Sequence, residues 1–169
     1  MTAFIALLRA VNVGGSGKLP MGELAAMCEA LGYGQVKTWI ASGNVVFTSD
    51  QDGEAVKAGL EAKLLAWAGK PVGVVVRTAA QMRAVLDTHP FPDAAPNRTV
   101  AIFLDTSPGE LEGIRNRTDE EIRLGEREIH VHYPGGMGQS KLVIPAAKAG
   151  TARNMNTVAK LVEMAGAIS

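Results

Sequence analysis

The sequence predicts an α+β protein made of two ferredoxin-like units in tandem, each a β-α-β-β-α-β succession with an extra helix. Three observations carry this. The order of strand-like and helix-like patterns in the first half returns in the second. A proline-rich segment, "HPFPDAAPN", separates the halves. Each half also holds two strand-like runs close enough in sequence to form a hairpin. Three prolines in nine residues can continue neither a helix nor a central strand, so the hinge is expected near residues 89–97, with units at 1–90 and 91–169. The repeat is one of element order and not of residues.

In the first half, residues 3–9 (AFIALLR) form a short apolar run ended by Asn12 and glycines, the pattern of a buried strand. Beyond Pro20, Met21, Leu24, Ala25, Cys28 and Leu31 fall on one helical face, and Gly32 is a natural stop. Cys28 is therefore expected to pack as a small core residue. "QVKTWI" and "NVVFTS" read as strands joined at Ser42-Gly43-Asn44, residues that supply positive φ at little cost. Helical spacing returns at Val56, Leu60, Leu64 and Trp67, and "PVGVVVR" follows as another strand. Thr78 and Gln81 have the spacing of a capping box, opening a helix that carries Met82, Val85 and Leu86.

In the second half, "TVAIFL" is a strand, and Ser107-Pro108-Gly109-Glu110 has the form of a capped helix start. "EEIRLG" and "REIHVHY" alternate as a hairpin. "SKLVIPAAKAG" is at most a short helix interrupted by proline, "TAR" a brief strand, and "NMNTVAKLVEMAG" a closing helix with Met155, Val158, Val162 and Ala165 inward.

Composition narrows the function classes. With 47% hydrophobic residues in 169, the chain can bury a substantial core. Its 17 basic and 17 acidic residues cancel, which removes the electrostatic footprint of a nucleic-acid binder. An open four-stranded sheet can bind RNA through paired aromatics, but "NVVFTS" offers Phe47 alone, which argues against it. A single cysteine, Cys28, allows no intrachain disulfide and fits a reducing compartment. The start "MTAFIALLRA" lacks a basic leader and its apolar run is too short for a signal peptide, and no apolar run reaches bilayer length. The expectation is a cytoplasmic protein without a membrane partner.

Four stretches carry a resemblance: "IALLRAVNVGGSGKLPMGEL", "LGYGQVKTWIASGNVVF", "GGMGQSKL" and "TARNMNTVAKLVEMA". Together, in this order, they resemble the bacterial family catalogued as domain of unknown function 1697. The resemblance implies a duplicated α+β fold of ferredoxin-like units, and it implies no established activity.

The glycine-rich stretch "RAVNVGGSGKLP" invites a phosphate-loop reading, and the strict forms fail. A Walker A loop needs glycine where Asn12 stands and Ser or Thr where Leu19 stands; the dinucleotide pattern meets Pro20 at its third glycine. Generic anion binding needs only exposed amides, a helix start and basic donors. Arg9, Asn12 and Lys18 supply these, and the expected topology brings their loop to the same sheet end as Ser42, Gly43 and Asn44. In the second half the loop "PGGMGQSK" and the end of "TARN" likewise share an end, so Ser140 and Lys141 approach Arg153 and Asn154. The plainer accounts are turns, solvated lysines and, at Asn154, a helix cap.

Glu128, His130 and His132 share one strand face, but Glu121 and Arg123 alongside suggest an open, hydrated surface, so no metal site is expected. His89 is a linker residue. Neither a nucleophile elbow nor an H-E-x-x-H or Cys–His pair occurs, no cofactor motif is present, and no general base presents itself, so whether the chain is an enzyme stays open. The expected function is binding of a small molecule or anion, a phosphate or carboxylate, by a bacterial cytosolic protein. The alternative is a non-enzymatic protein-interaction or homodimerising module.

Overall fold

The computed structural model describes residues 1–9, 19–40 and 43–169. Among them the chain forms an α+β structure with two four-stranded antiparallel sheets and four α-helices. It divides into two compact units, Met1–Arg83 with Lys160–Ser169, and Ala84–Ala159. No helix among the described residues is long and apolar enough to cross a membrane.

The first unit contains β1 (Thr2–Leu8), α1 (Met21–Ala30), β2 (Gly34–Trp39), β3 (Asn44–Ser49), α2 (Gly53–Ala68) and β4 (Val74–Thr78). The strands stand in the order β2-β3-β1-β4, all neighbours antiparallel. Strand periodicity sends Phe4, Ala6 and Leu8 to one face, and the register sets Phe4 beside Phe47 and Ala6 beside Val45. This face joins Leu24 and Cys28 of α1 and Val56, Leu60 and Leu64 of α2 in one core. Each such aliphatic side chain contributes about 1.5–3 kcal/mol on burial. Tyr33 stacks on Phe47 with ring centres 4.5 Å apart.

Local signals explain the ends of these elements. The Asp52 carboxylate accepts the Ala55 amide at 2.8 Å and opens α2, while Gly69 closes it with φ 72°. Gly32, at φ 87°, turns the chain out of α1. Cys28 is fully buried in the core, and burial pushes its thiol up to about 12, with Glu29 adding to the rise. Trp67 departs from the inward position expected of it: it is 41% exposed, carried clear of the core by the last turn of α2.

The second unit contains β5 (Thr99–Phe103), β6 (Glu121–Leu124), β7 (Glu128–His132) and β8 (Thr151–Asn154), in the order β6-β7-β5-β8. Val100, Ile102, Ile129 and Val131 form its core with Leu104, Tyr133 and Ile144. The helix expected after Ser107 does not form; residues 104–120 are irregular. Gly109 (φ 62°), Gly113 (φ 71°) and Asn116 (φ 60°) are left-handed, and a right-handed helix cannot absorb three such residues at this spacing. The capping signal is present, but the glycines that follow overrule it. Arg115 instead pairs with Val143 through two backbone bonds of 2.9 Å. Between β7 and β8 the chain makes only 3-10 turns, at Met137–Gln139 and Pro145–Ala149, so the second unit departs from the expected β-α-β-β-α-β pattern at both of its crossovers.

Two further helices follow strands without a linker. α3 (Ala79–Thr88) begins at the expected capping box: Gln81 donates its amide to Thr78 Oγ1 at 3.1 Å, and Thr78 donates its own to Gln81 Oε1 at 2.9 Å. α4 (Met155–Ile168) begins where β8 ends and buries Met155, Val158, Val162 and Ala165, as their spacing predicts. Its later part is tied into the first unit, where the Lys160 ammonium lies 5.0 Å from the Trp39 ring and Gln35 donates to the Ile168 carbonyl at 3.3 Å.

Gly150 precedes β8 with its Cα against the end of β5. A Cβ there would overlap the Phe103 carbonyl oxygen and stand 2.7 Å from Leu104 Cδ2. Backbone cannot yield cheaply, so Gly150→Ala is expected to destabilise the protein by about 1–3 kcal/mol, read as a lower urea midpoint at unchanged m-value. The control Gly166→Ala, where a Cβ meets nothing, should not lower it.

Candidate functional site

The first-unit candidates divide into those described and those not. Asn12, Lys18 and Ser42 lie outside the described residues. Arg9, Gly43 and Asn44 do gather at one end of the sheet: the Leu8 amide donates to the Gly43 carbonyl at 2.9 Å, and the Arg9 amide to Gly73 at 2.9 Å. Asn44 is fully buried and donates its side-chain amide to the Trp39 carbonyl at 3.0 Å, which closes the β2–β3 hairpin. The stem of Arg9 lies against Gly73, whose missing side chain leaves room for it: a Cβ there would sit 2.9 Å from Arg9 Cδ. Nearby, a cavity of about 260 Å³ is lined by Glu61, Leu65, Pro71 and Val72. The Glu61 carboxylate is already engaged there, accepting from Lys57 Nζ at 2.7 Å and from the Val74 amide at 3.0 Å.

In the second unit Arg153 and Asn154 have structural employment. Arg153, on β8, donates Nη1 to Thr151 Oγ1 at 2.6 Å and to the Ala152 carbonyl at 2.9 Å, and burial draws its guanidinium down to about 10. Asn154 caps α4, accepting the Thr157 amide on Oδ1 at 2.9 Å. Lys141 is exposed. Ser140 has a different setting. Its hydroxyl donates to Glu120 Oε2 in a short bond and accepts the Leu142 amide at 3.1 Å.

Glu120 was not among the residues singled out by sequence. It ends the irregular crossover just before β6, and it looks there like the first member of a solvated acidic pair. The fold covers it to 3% exposure, by near neighbours rather than by depth in the core. Oε1 accepts the Thr118 amide at 2.6 Å and the Thr118 hydroxyl at 3.3 Å. Hydrogen bonds from Ser140 and from backbone amides hold the carboxyl down to about 2, against the opposing effect of burial. Arg117 Nε donates to the Glu120 carbonyl at 2.8 Å and braces the turn.

This carboxylate borders a cavity of about 220 Å³. Thr118, Asp119 and Glu120 form one wall; Tyr133, Gly135, Gly136, Gln139 and Ser140 form the other. The glycines follow β7, and Gly136 turns at φ 89° while donating its amide to the Tyr133 carbonyl at 2.9 Å. Tyr133 is 9% exposed, and burial followed by the Glu120 charge raises its phenol. The "GGMGQSK" loop thus faces carboxylates, a setting that repels anions. A sequence signal existed: Tyr133 stands two residues before the glycines, and Asp119-Glu120 immediately precede the paired strand.

The Glu128–His130–His132 face is not the open surface expected. Glu128 and His130 are both about 5% exposed, and a Cβ on Gly125 would stand 3.0 Å from a side-chain atom of each. Burial lowers the His130 imidazole, Glu128 opposes this, and His89 adds to the lowering. His132 Nδ1 lies 3.6 Å from Glu121 Oε1, and its ring centre 5.6 Å from that of Phe91. Among the described residues no three His, Cys, Asp or Glu side chains gather as a metal-ligand set.

Because the Glu120 carboxyl is depressed in the folded state, it stabilises the protein above the ordinary carboxylate range and loses that contribution as pH falls through it toward about 2. The difference in melting temperature between the wild type and Glu120→Gln is expected to be constant near neutrality and to shrink below about pH 4.5. A difference independent of pH would contradict the assignment.

No curated protein matches the chain. A solved structure, described as that of the conserved bacterial protein SP0830 from Streptococcus pneumoniae, superposes with a TM-score of 0.78 at 24% identity. The match covers 97% of this chain and 98% of that one, and it shows the fold alone. A family model described as "Protein of unknown function (DUF1697)" matches residues 1–130. That span is most of the chain, and it contains every strand of the first unit; the chain belongs to the DUF1697 family.

Proposed function

We propose that this is a bacterial cytosolic small-molecule-binding protein, built on a duplicated ferredoxin-like scaffold, with its ligand in the Glu120–Ser140 cavity. The observation that supports the site is a 220 Å³ space bordered by a covered carboxylate whose orientation is held from both sides. A carboxyl held near 2 is a weak base at neutral pH, which favours holding a ligand over abstracting a proton.

The duplication rests on equivalent registers. Arg77 lies opposite Ile5 and Arg153 opposite Ala101, each on the strand beside the central one. Each is almost fully buried and donates Nη1 to the carbonyl of the residue before it. With the same strand order in both sheets, this is the echo expected of a repeated unit whose crossovers have diverged.

A phosphate or carboxylate site at the Arg9 end of β1 is the second reading, favoured by the Leu8–Gly43 bond, which brings the end of β1 to the start of β3. The alternative of a protein-interaction or homodimerising module draws support from β6, a sheet-edge strand that exposes Leu124 to 49%.

A thermal-shift screen of charged and neutral small molecules separates these readings. For the cavity, stabilising compounds should lose most of their effect with Ser140→Ala and keep it with Arg9→Ala. The opposite pattern, confined to anions, would move the site to the Arg9 end. Absence of any stabilising compound, together with a dimer by light scattering, would favour the interaction module.

A further inference from the structure

We infer that the Glu120–Ser140 cavity takes a small organic cation, an alkylamine or alkylguanidinium, with its charged head on Glu120 and the Tyr133 hydroxyl. This rests on the cavity being the ligand site and adds the class of ligand. The lining holds two carboxylates, Asp119 and Glu120, and no basic side chain.

Glu120 has acceptor capacity to spare. A carboxylate offers about four lone-pair positions. Thr118 donates to Oε1 from its amide and hydroxyl, and Ser140 donates to Oε2, so Oε2 keeps room for a further donor. A cationic donor suits it best, because charge-assisted bonds are the stronger ones.

Tyr133 gives the second, independent indication. Its ring belongs to the core of the second unit, it is nine-tenths buried, and it lines the cavity. Among the described residues its hydroxyl has no hydrogen-bond partner. With the ring held in the core, the hydroxyl is open to the cavity and offers a fixed position for a ligand atom or water. Beside Glu120 the phenol oxygen can accept from an ammonium or guanidinium that also donates to the carboxylate. The volume of 220 Å³ is that of roughly seven waters at liquid density, the size of a short alkyl chain with one charged head.

The test is a calorimetric titration of the whole protein with n-pentylamine and propylguanidine, against pentan-1-ol and pentanoate as neutral and anionic counterparts. The cations should bind at least tenfold tighter than the alcohol, pentanoate should not bind, and added salt should weaken the cations. Glu120→Gln should abolish the preference for cations. Tyr133→Phe, which keeps the ring in the core, should weaken the cations roughly tenfold while leaving the melting temperature unchanged. Should Glu120→Gln fail to fold, the Tyr133→Phe and salt arms decide. Equal binding of alcohol and amine would overturn the cation class while leaving the cavity as a ligand site. Absence of binding by all four compounds at about 10 mM would overturn the cavity reading and the cation class together.

Discussion

A strand paired on both edges and covered on both faces leaves no backbone group and almost no side chain to water. β1 and β5 are such strands. Ile5, Ala6 and Leu7 have no exposure at all, and β1 bonds to β3 on one side and β4 on the other. β5 stands likewise between β7 and β8, with all five of its residues buried. Once these two strands are placed, each outer strand has one free position and each following loop has one end of the sheet at which to emerge. The Arg9 end of the first unit and the Glu120 end of the second follow from that placement.

At the second of these ends the work of a missing helix is done by hydrogen bonds. Residues 104–120 cannot wind, so the crossover is pinned instead, at Arg115 by Val143 and at Glu120 by Thr118 and Ser140. The Glu120–Ser140 bond spans twenty residues of chain and ties the crossover to the glycine loop after β7. The space between them remains because neither side is a regular element that could pack flat against the other. An irregular crossover therefore leaves a partly open cleft at the surface, and here the polar groups at its border are those of the candidate site.

Much of the fold was legible from pattern. The strand-like runs "NVVFTS" and "REIHVHY", the Thr78–Gln81 box and the inward spacing of Met155, Val158, Val162 and Ala165 are local, and local physics decides them. The helix expected after Ser107 shows where this stops, because a start signal says nothing about the left-handed residues that come after it. The site was less legible for a different reason. Ser140 stood out through its glycines, but its partner Glu120 is defined only by a contact across twenty residues. Arg153 and Asn154 stood out as polar residues in a promising place; Arg153 bonds the Thr151 hydroxyl and the Ala152 carbonyl, and Asn154 caps α4.

The junctions at Thr78 and Asn154 have a mechanical consequence. In each, the last residue of a strand is also the residue that caps the following helix: Thr78 pairs with Phe4 and binds Gln81, and Asn154 pairs with Val100 and binds Thr157. With no linker to take up slack, strand register sets helical phase. A one-residue insertion at such a joint would rotate every later side chain by about 100° about the helix axis. At Asn154 it would swing Val158 and Val162 away from the interior, so these two helices are indexed to their sheets as a keyed shaft is to its gear.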